Sequence, residues 1–249
     1  MFREITRRLG LATIVVAGTV ALLGGTAQAN TVTVGSSLTA TGFTPRSFSA
    51  AATVTNSVLP APATATSPVD GTVINWRFIG SGLLTPRVLR STGGTSLTGA
   101  GTGTAQSATA PNVISGPFSV TLPIKKGEYF GVDGASPASL STAPTTGATN
   151  LYFEPALVDG AAGKAPFGTN PGEDAISATV RFCLVPKMKG KTGKEARQAL
   201  HAADCTVGTV TKAKKRRPVK AILKQSVKAG TSISDTQAVD LRVTRKTKS

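Results

Sequence analysis

The sequence predicts a mainly β chain in two parts: an antiparallel β-sandwich, jelly-roll-like, over residues 30–182, then a small basic α+β domain over residues 183–249. Three observations carry this prediction. Apolar and polar residues alternate at period two through several short runs of the first part, the pattern of half-buried strands. Ser, Thr, Ala, Gly and Pro fill the stretches between those runs and long helical periodicity is missing, which suits short strands joined by turns. The charge also changes abruptly: residues 30–182 hold eight Lys/Arg against seven Asp/Glu, whereas residues 183–249 hold seventeen against four.

Ahead of both parts, "MFREITRRLG" carries Arg3, Arg7 and Arg8, followed by the apolar run "LATIVVAGTVALLGG" and the small-residue stretch "TAQA". The apolar run is short for a membrane span, and the small residues suit signal peptidase, so residues 1–29 read as a secretory signal peptide cleaved after Ala29. The Arg7-Arg8 pair leaves the general secretory and twin-arginine routes both open. No cysteine follows the cleavage point to anchor a lipid, and no later run is apolar enough to span a bilayer. The expected location is secreted, extracellular or envelope-associated.

The strands of the first part follow in order. In "DGTVINWRFIG", Asp70-Gly71 makes a turn, after which Ile74, Trp76 and Phe78 are expected on one face and Val73, Asn75, Arg77 and Ile79 on the other. Trp76 could stack on a sugar if exposed, but its apolar neighbours on the same face favour the core. Tyr129 and Tyr152 fit either description. Phe118, Val120, Leu122 and Ile124 share a face before a Lys125-Lys126-Gly127 turn, and Ile176, Ala178, Val180 and Phe182 share one in "DAISATVRFC". Residues 59–68, with three prolines, read as a loop, because proline removes ladder donors. This part resembles β-sandwich modules of secreted actinobacterial proteins in its "SPVDG" turn before a Trp-Arg strand and its "LPIKKGEYFGV" hairpin. The adjacent carboxylates Glu173 and Asp174 follow "GTNPG" and read as a turn before the last strand, not as the paired acids of a hydrolase.

Beyond residue 183 the period changes. Thr192-Gly193-Lys194-Glu195 has the form of a capping box, and Ala196, Ala199, Leu200 and Ala203 fall on one face of a helix of about three turns. Strands are expected at "CTVGTVTK", "KAILKQS" and "AVDLRVTR", separated by a loop "AKKRRPV" and a turn "VKAGTSISDT". The order of residues here resembles the PASTA domain: Val185-Pro186, Gly190, Ala196, Leu200, Val207-Gly208, Ile222, Gln225-Ser226, Ala229-Gly230-Thr231, and Val239, Leu241 and Val243. Val227 stands where that family usually has proline.

The resemblance implies a helix on a three-stranded sheet, a place outside the membrane, and binding of peptidoglycan fragments and β-lactams. It would set Cys183 at the start of the first strand and Cys205 just beyond the helix, where packing could join them. With an even cysteine count in an exported chain, a disulfide is the expected state, worth roughly 3 kcal/mol by loop closure. A redox or metal site is the other use of such a pair. The lone His201 cannot assemble a zinc site, so neither a metal nor another cofactor is expected.

The run 212–220, "KAKKRRPVK", sets Lys212, Lys214, Lys215, Arg216 and Arg217 close together. Such a field attracts polyanions in a salt-dependent way without specifying a nucleic acid. The function expected is that of an exported non-enzymatic protein that binds peptidoglycan or anionic cell-wall polymers. A general polyanion binder, or an enzyme acting on wall polysaccharide, is the alternative.

Overall fold

The structure, a computed structural model, describes residues 30–108, 110, 112–217 and 221–246. The expected signal segment, 1–29, lies outside them. In chain order the described residues form β1 (Thr31–Gly35), β2 (Thr44–Ser47), β3 (Ala52–Val58), β4 (Gly71–Ser81), β5 (Leu83–Gly93), β6 (Ser96–Thr102), β7 (Gln106–Ser107), β8 (Ile114–Ile124), β9 (Tyr129–Gly134), β10 (Ser139–Ala143), β11 (Thr149–Phe153), β12 (Gly168–Pro171), β13 (Glu173–Asp174), β14 (Ile176–Leu184), α1 (Gly193–Ala202), β15 (Thr206–Arg217), β16 (Ile222–Gln225), β17 (Ser232–Ser234) and β18 (Ala238–Lys246).

Two antiparallel sheets make the sandwich. One runs β1-β14-β4-β10-β13, with β8 on β4, β2 on β10 and β17 on β14; the other runs β12-β11-β3-β9-β5-β6, with β7 on β5. Between them lies a core to which both sheets contribute, including Val73, Trp76, Phe78, Leu122, Ile124 and Val180 from one and Val54, Val88, Phe130 and Val132 from the other. Trp76 is fully buried, stacked on Phe78 at 5.0 Å between ring centroids and tilted against Phe118 at 5.6 Å.

One expectation about β4 needs correction. Ile74 does not share the inner face with Trp76, because the register against β14 steps from Val73↔Val180 to Asn75↔Thr179. A bulge absorbs Ile74, so Val73 and Trp76 both reach the core and strict alternation breaks at that residue.

The seven-stranded sheet is apolar on its other face too. Leu89, Leu97, Leu151 and Phe153 form a second small core there, covered by Leu157. The segment after β11 lies over that face, held by Gly99 N donating to Val158 O at 3.2 Å and by Leu97 and Lys164 exchanging backbone bonds at 3.0 and 2.9 Å. Buried Arg87 ties it further, pairing with Asp133 and, at 2.7 Å, with Asp159.

Glu173 and Asp174 are a second correction. They do not form an exposed turn but a two-residue strand on β10, with Thr142 opposite Asp174 and Ala143 opposite Glu173, and both are buried. Successive strand residues face opposite ways. Asp174 accordingly accepts from Thr142 Oγ1 at 2.8 Å while Glu173 accepts from Thr145 Oγ1 at 3.0 Å.

The chain passes into its second core without a linker. In β14, Val180 still belongs to the sandwich core, whereas Cys183 and, just past the strand, Val185 belong to the next one. β17 pairs with the end of β14, Cys183 opposite Ile233, which ties the later part of the chain to the sandwich sheet. Beside that pairing, buried Asp235 accepts from Thr72 Oγ1 at 2.5 Å and from Arg181 Nε at 2.6 Å. Asn30 donates its backbone N–H to Asp204 Oδ2 at 3.1 Å and its side-chain amide to Ala203 O at 3.3 Å.

Candidate functional site

The second core is built by α1 and a three-stranded sheet in the order β15-β18-β16. The capping box forms as its residues require: Glu195 N donates to Thr192 Oγ1 at 3.3 Å and Thr192 N donates to Glu195 Oε2 at 2.8 Å. The backbone donor of Thr192 holds the Glu195 carboxyl below its usual range. Of the helix, Ala196 and Leu200 are buried, against Met188, Ile222, Val239 and Leu241. The short alanine side chain lets the helix lie close on the sheet.

Cys183 and Cys205 are joined in a disulfide with 4.8 Å between Cα atoms, and both cysteines are buried in this core. The bond ties the end of β14 to the residue after α1 leaves its last turn. A buried disulfide presents no thiol, so the pair is a clasp. His201 is exposed, and no group of three or more His, Cys, Asp or Glu suited to a metal occurs among the described residues.

The basic run is not the loop that the sequence suggested. β15 continues through Arg217 because it lies parallel to β18 and finds a ladder partner there: Lys212 opposite Val243, Arg216 opposite Arg245, Arg217 opposite Lys246. Pairing of backbone groups replaces the solvation that a loop would have needed. Lys212 is exposed. Lys214, Lys215, Arg216 and Arg217 take their places on this strand, and residues 218–220 of the run lie outside the described residues.

This register sets like charges side by side. Besides Arg216 with Arg245 and Arg217 with Lys246, Lys224 of β16 stands opposite Arg242 of β18. Like charges directly opposite on a sheet repel. Asp240 is the one carboxylate on β15, β16 or β18, and its Oδ1 is occupied by Thr209 N at 2.7 Å. Gly208 makes room for that bond, since a Cβ there would collide with the Asp240 carboxylate. Lys224, Arg242, Thr211, Ser226 and Asp240 line an open groove of about 280 Å³ on this sheet.

Sequence reasoning located the run 212–217 but missed Lys224, Arg242, Arg245 and Lys246 as its neighbours. Lys224 lies on β16 and the other three on β18, and the parallel pairing of β15 with β18 together with the antiparallel pairing of β16 with β18 collects them. Compared with known families, residues 184–245 match the PASTA domain. No curated protein and no solved structure matches the chain.

Proposed function

We propose, from the PASTA domain at residues 184–245, that this is an exported, non-enzymatic protein of the cell envelope or extracellular space that binds peptidoglycan or related cell-wall material through that domain. The family match is the observation that carries the reading, since PASTA domains typically bind peptidoglycan or β-lactams. The disulfide clasp supports it, because an oxidising compartment outside the cytoplasm favours such a bond in a small domain. No helix among the described residues is long and apolar enough to cross a membrane. Glu173 and Asp174, the adjacent carboxylates, engage different partners on opposite sides of their strand, which disfavours a paired-acid hydrolase reading.

A second reading has its own observation. The small sheet sets cationic residues at neighbouring register positions, Lys224 opposite Arg242 and Arg216 and Arg217 opposite Arg245 and Lys246, with Asp240 its one carboxylate, which favours an anionic wall polymer as the partner. The two readings part in one experiment: co-sedimentation of residues 30–249 with peptidoglycan stripped of anionic polymers, across a salt series. Retention at about 0.5 M NaCl supports wall recognition, because that salt screens exposed charges beyond a few ångströms. Release at moderate salt, or binding only before stripping, makes the cationic strands the whole attachment. The uncut chain is the right reagent because β14 serves both cores.

A further inference from the structure

On the sandwich, away from the small domain, the two sheets part at one edge. Between β2 of one sheet and β11 and β12 of the other opens a cleft of about 280 Å³, lined by Arg46, Ser49, Tyr152, Glu154, Phe167 and Asn170. Phe167 is 74% exposed, the most exposed of the large apolar side chains described. It is not a dangling side chain, since its backbone N–H donates to Tyr152 O at 2.7 Å and its ring meets the Tyr152 ring edge-on at 6.1 Å. The Arg46 guanidinium lies over the Tyr152 ring at 4.9 Å and makes no ion pair among the described residues. Tyr152 Oη donates to Glu154 Oε2 at 2.8 Å, and Asn170 Nδ2 donates to Asn150 Oδ1 at 3.4 Å, so the polar groups of the cleft are oriented before any ligand arrives.

Behind the cleft, sharing Arg46, Ser47 and Tyr152 as walls, lies a small hollow of about 10 Å³ lined also by Thr142 and Asp174. Asp174 is 2% exposed, and its Oδ2 has no hydrogen-bond partner among the described residues. A buried, unpartnered carboxylate oxygen is costly, and its position at the back of an open cleft gives that cost a use. An exposed aromatic and convergent polar groups in one concavity, with an unmet acceptor in the hollow behind it, mark a ligand site.

We propose that this cleft binds a saccharide. The apolar face of a sugar ring would lie against Phe167, while Arg46, Glu154 and Asn170 take ring hydroxyls, and the Asp174 oxygen is reached only through one water in the hollow behind. Charge decides against other ligands. One arginine faces Glu154 with Asp174 behind it, so an anionic polymer of the kind attracted by the small domain is repelled here. The aromatic face open to the cleft is that of Phe167, because Arg46 already covers the Tyr152 ring, which leaves little for a cationic ligand to gain. A hydroxyl-rich neutral ring uses the groups of the cleft: donors on Arg46 and Asn170, an acceptor on Glu154, and the uncovered ring of Phe167.

The test is calorimetric titration of residues 30–249 with cellotetraose, chitotetraose, maltotetraose and mannotetraose, repeated with lysine amide as an amine control. At least one tetrasaccharide should bind at up to about 10 mM, and Phe167→Ala and Arg46→Ala should each weaken it about 10-fold or more. Phe167→Ala removes an exposed side chain, so its melting temperature should equal that of the parent chain. Binding should survive about 0.5 M NaCl and the double substitution Arg216→Glu/Arg217→Glu, which separates this site from the basic strands. The proposal is overturned if no tetrasaccharide binds, if Phe167→Ala binds as tightly as the parent, or if only the amine binds.

Discussion

The Cys183–Cys205 bond closes a loop across the core of the small domain, which has few large apolar side chains. Replacing both by serine should lower the stability of this domain by about 3 kcal/mol in urea denaturation, on the chain-entropy account. An unchanged midpoint would mean that packing of α1 alone holds the domain closed. Asp174 offers a second test at this scale. Burial pushes its carboxyl up from 3.8 to about 6, against the lowering effects of the Thr142 hydrogen bond and of Arg46. The folded chain therefore holds this proton more tightly than the unfolded one. The resulting stabilisation is complete below 3.8 and is lost as pH rises through about 6. Over that window the chain should lose about 3 kcal/mol from this group. Asp174→Asn cannot titrate, so it should flatten the stability profile between those values and raise stability at pH 7. A profile that keeps its slope in the variant would assign the effect to another carboxyl.

At the scale of elements, β15 and β18 show a ladder overriding local repulsion. Arg216 and Arg217 stand opposite Arg245 and Lys246 in the parallel register, so residues of like charge are neighbours along the ladder. Arg216→Glu converts one such pair to opposite charges. It should therefore raise the melting temperature while lowering affinity for an anionic wall polymer, two shifts of opposite sign from one substitution. If both fell together, the strand would need Arg216 for its own structure and not for a partner. Helix α1 behaves more simply. Its capping box was readable from four consecutive residues and forms as read. Thr192→Ala should cost about 1 kcal/mol, measured by thermal melting.

At the scale of the molecule, the two cores are joined through β14, β17 and Asp235 and not through a spacer. Asp235 is buried, and it holds Thr72 of the sandwich and Arg181 of the shared strand at once. Asp235→Ala leaves buried Thr72 without its acceptor, while half-exposed Arg181 can turn to water, and should destabilise the chain by about 1–3 kcal/mol. Calorimetry should then resolve two transitions where the parent chain gives one. A single transition in both proteins would show that β14 pairing alone couples the two cores.

The sandwich class, the helix and the order of residues along the PASTA domain were legible because each depends on local signals: period-two alternation, turn residues and a cap. Trp76 could be placed in the core from Ile74 and Phe78 on its face, and of the two only Phe78 shares it. Ile74 could not, since a bulge is set by the partner strands and leaves no mark in the alternation itself. The disulfide pairing was legible because only two cysteines exist. The basic strip and the sandwich cleft were not. Phe167, in a Gly- and Pro-rich stretch, carries one possible signal, a bulky aromatic where no core periodicity calls for it. What joins it and nearby Asp174 to Arg46, more than a hundred residues away in sequence, is the edge where two sheets part. By itself the sequence determined the mainly β class, the one capped helix, where the charge lies and how the cysteines pair, all properties of neighbouring or unique residues. Tertiary structure alone decided that β15 runs parallel to β18 and that Asp174 sits behind a cleft, because long-range register and sheet packing bring together residues whose local sequences carry no record of one another.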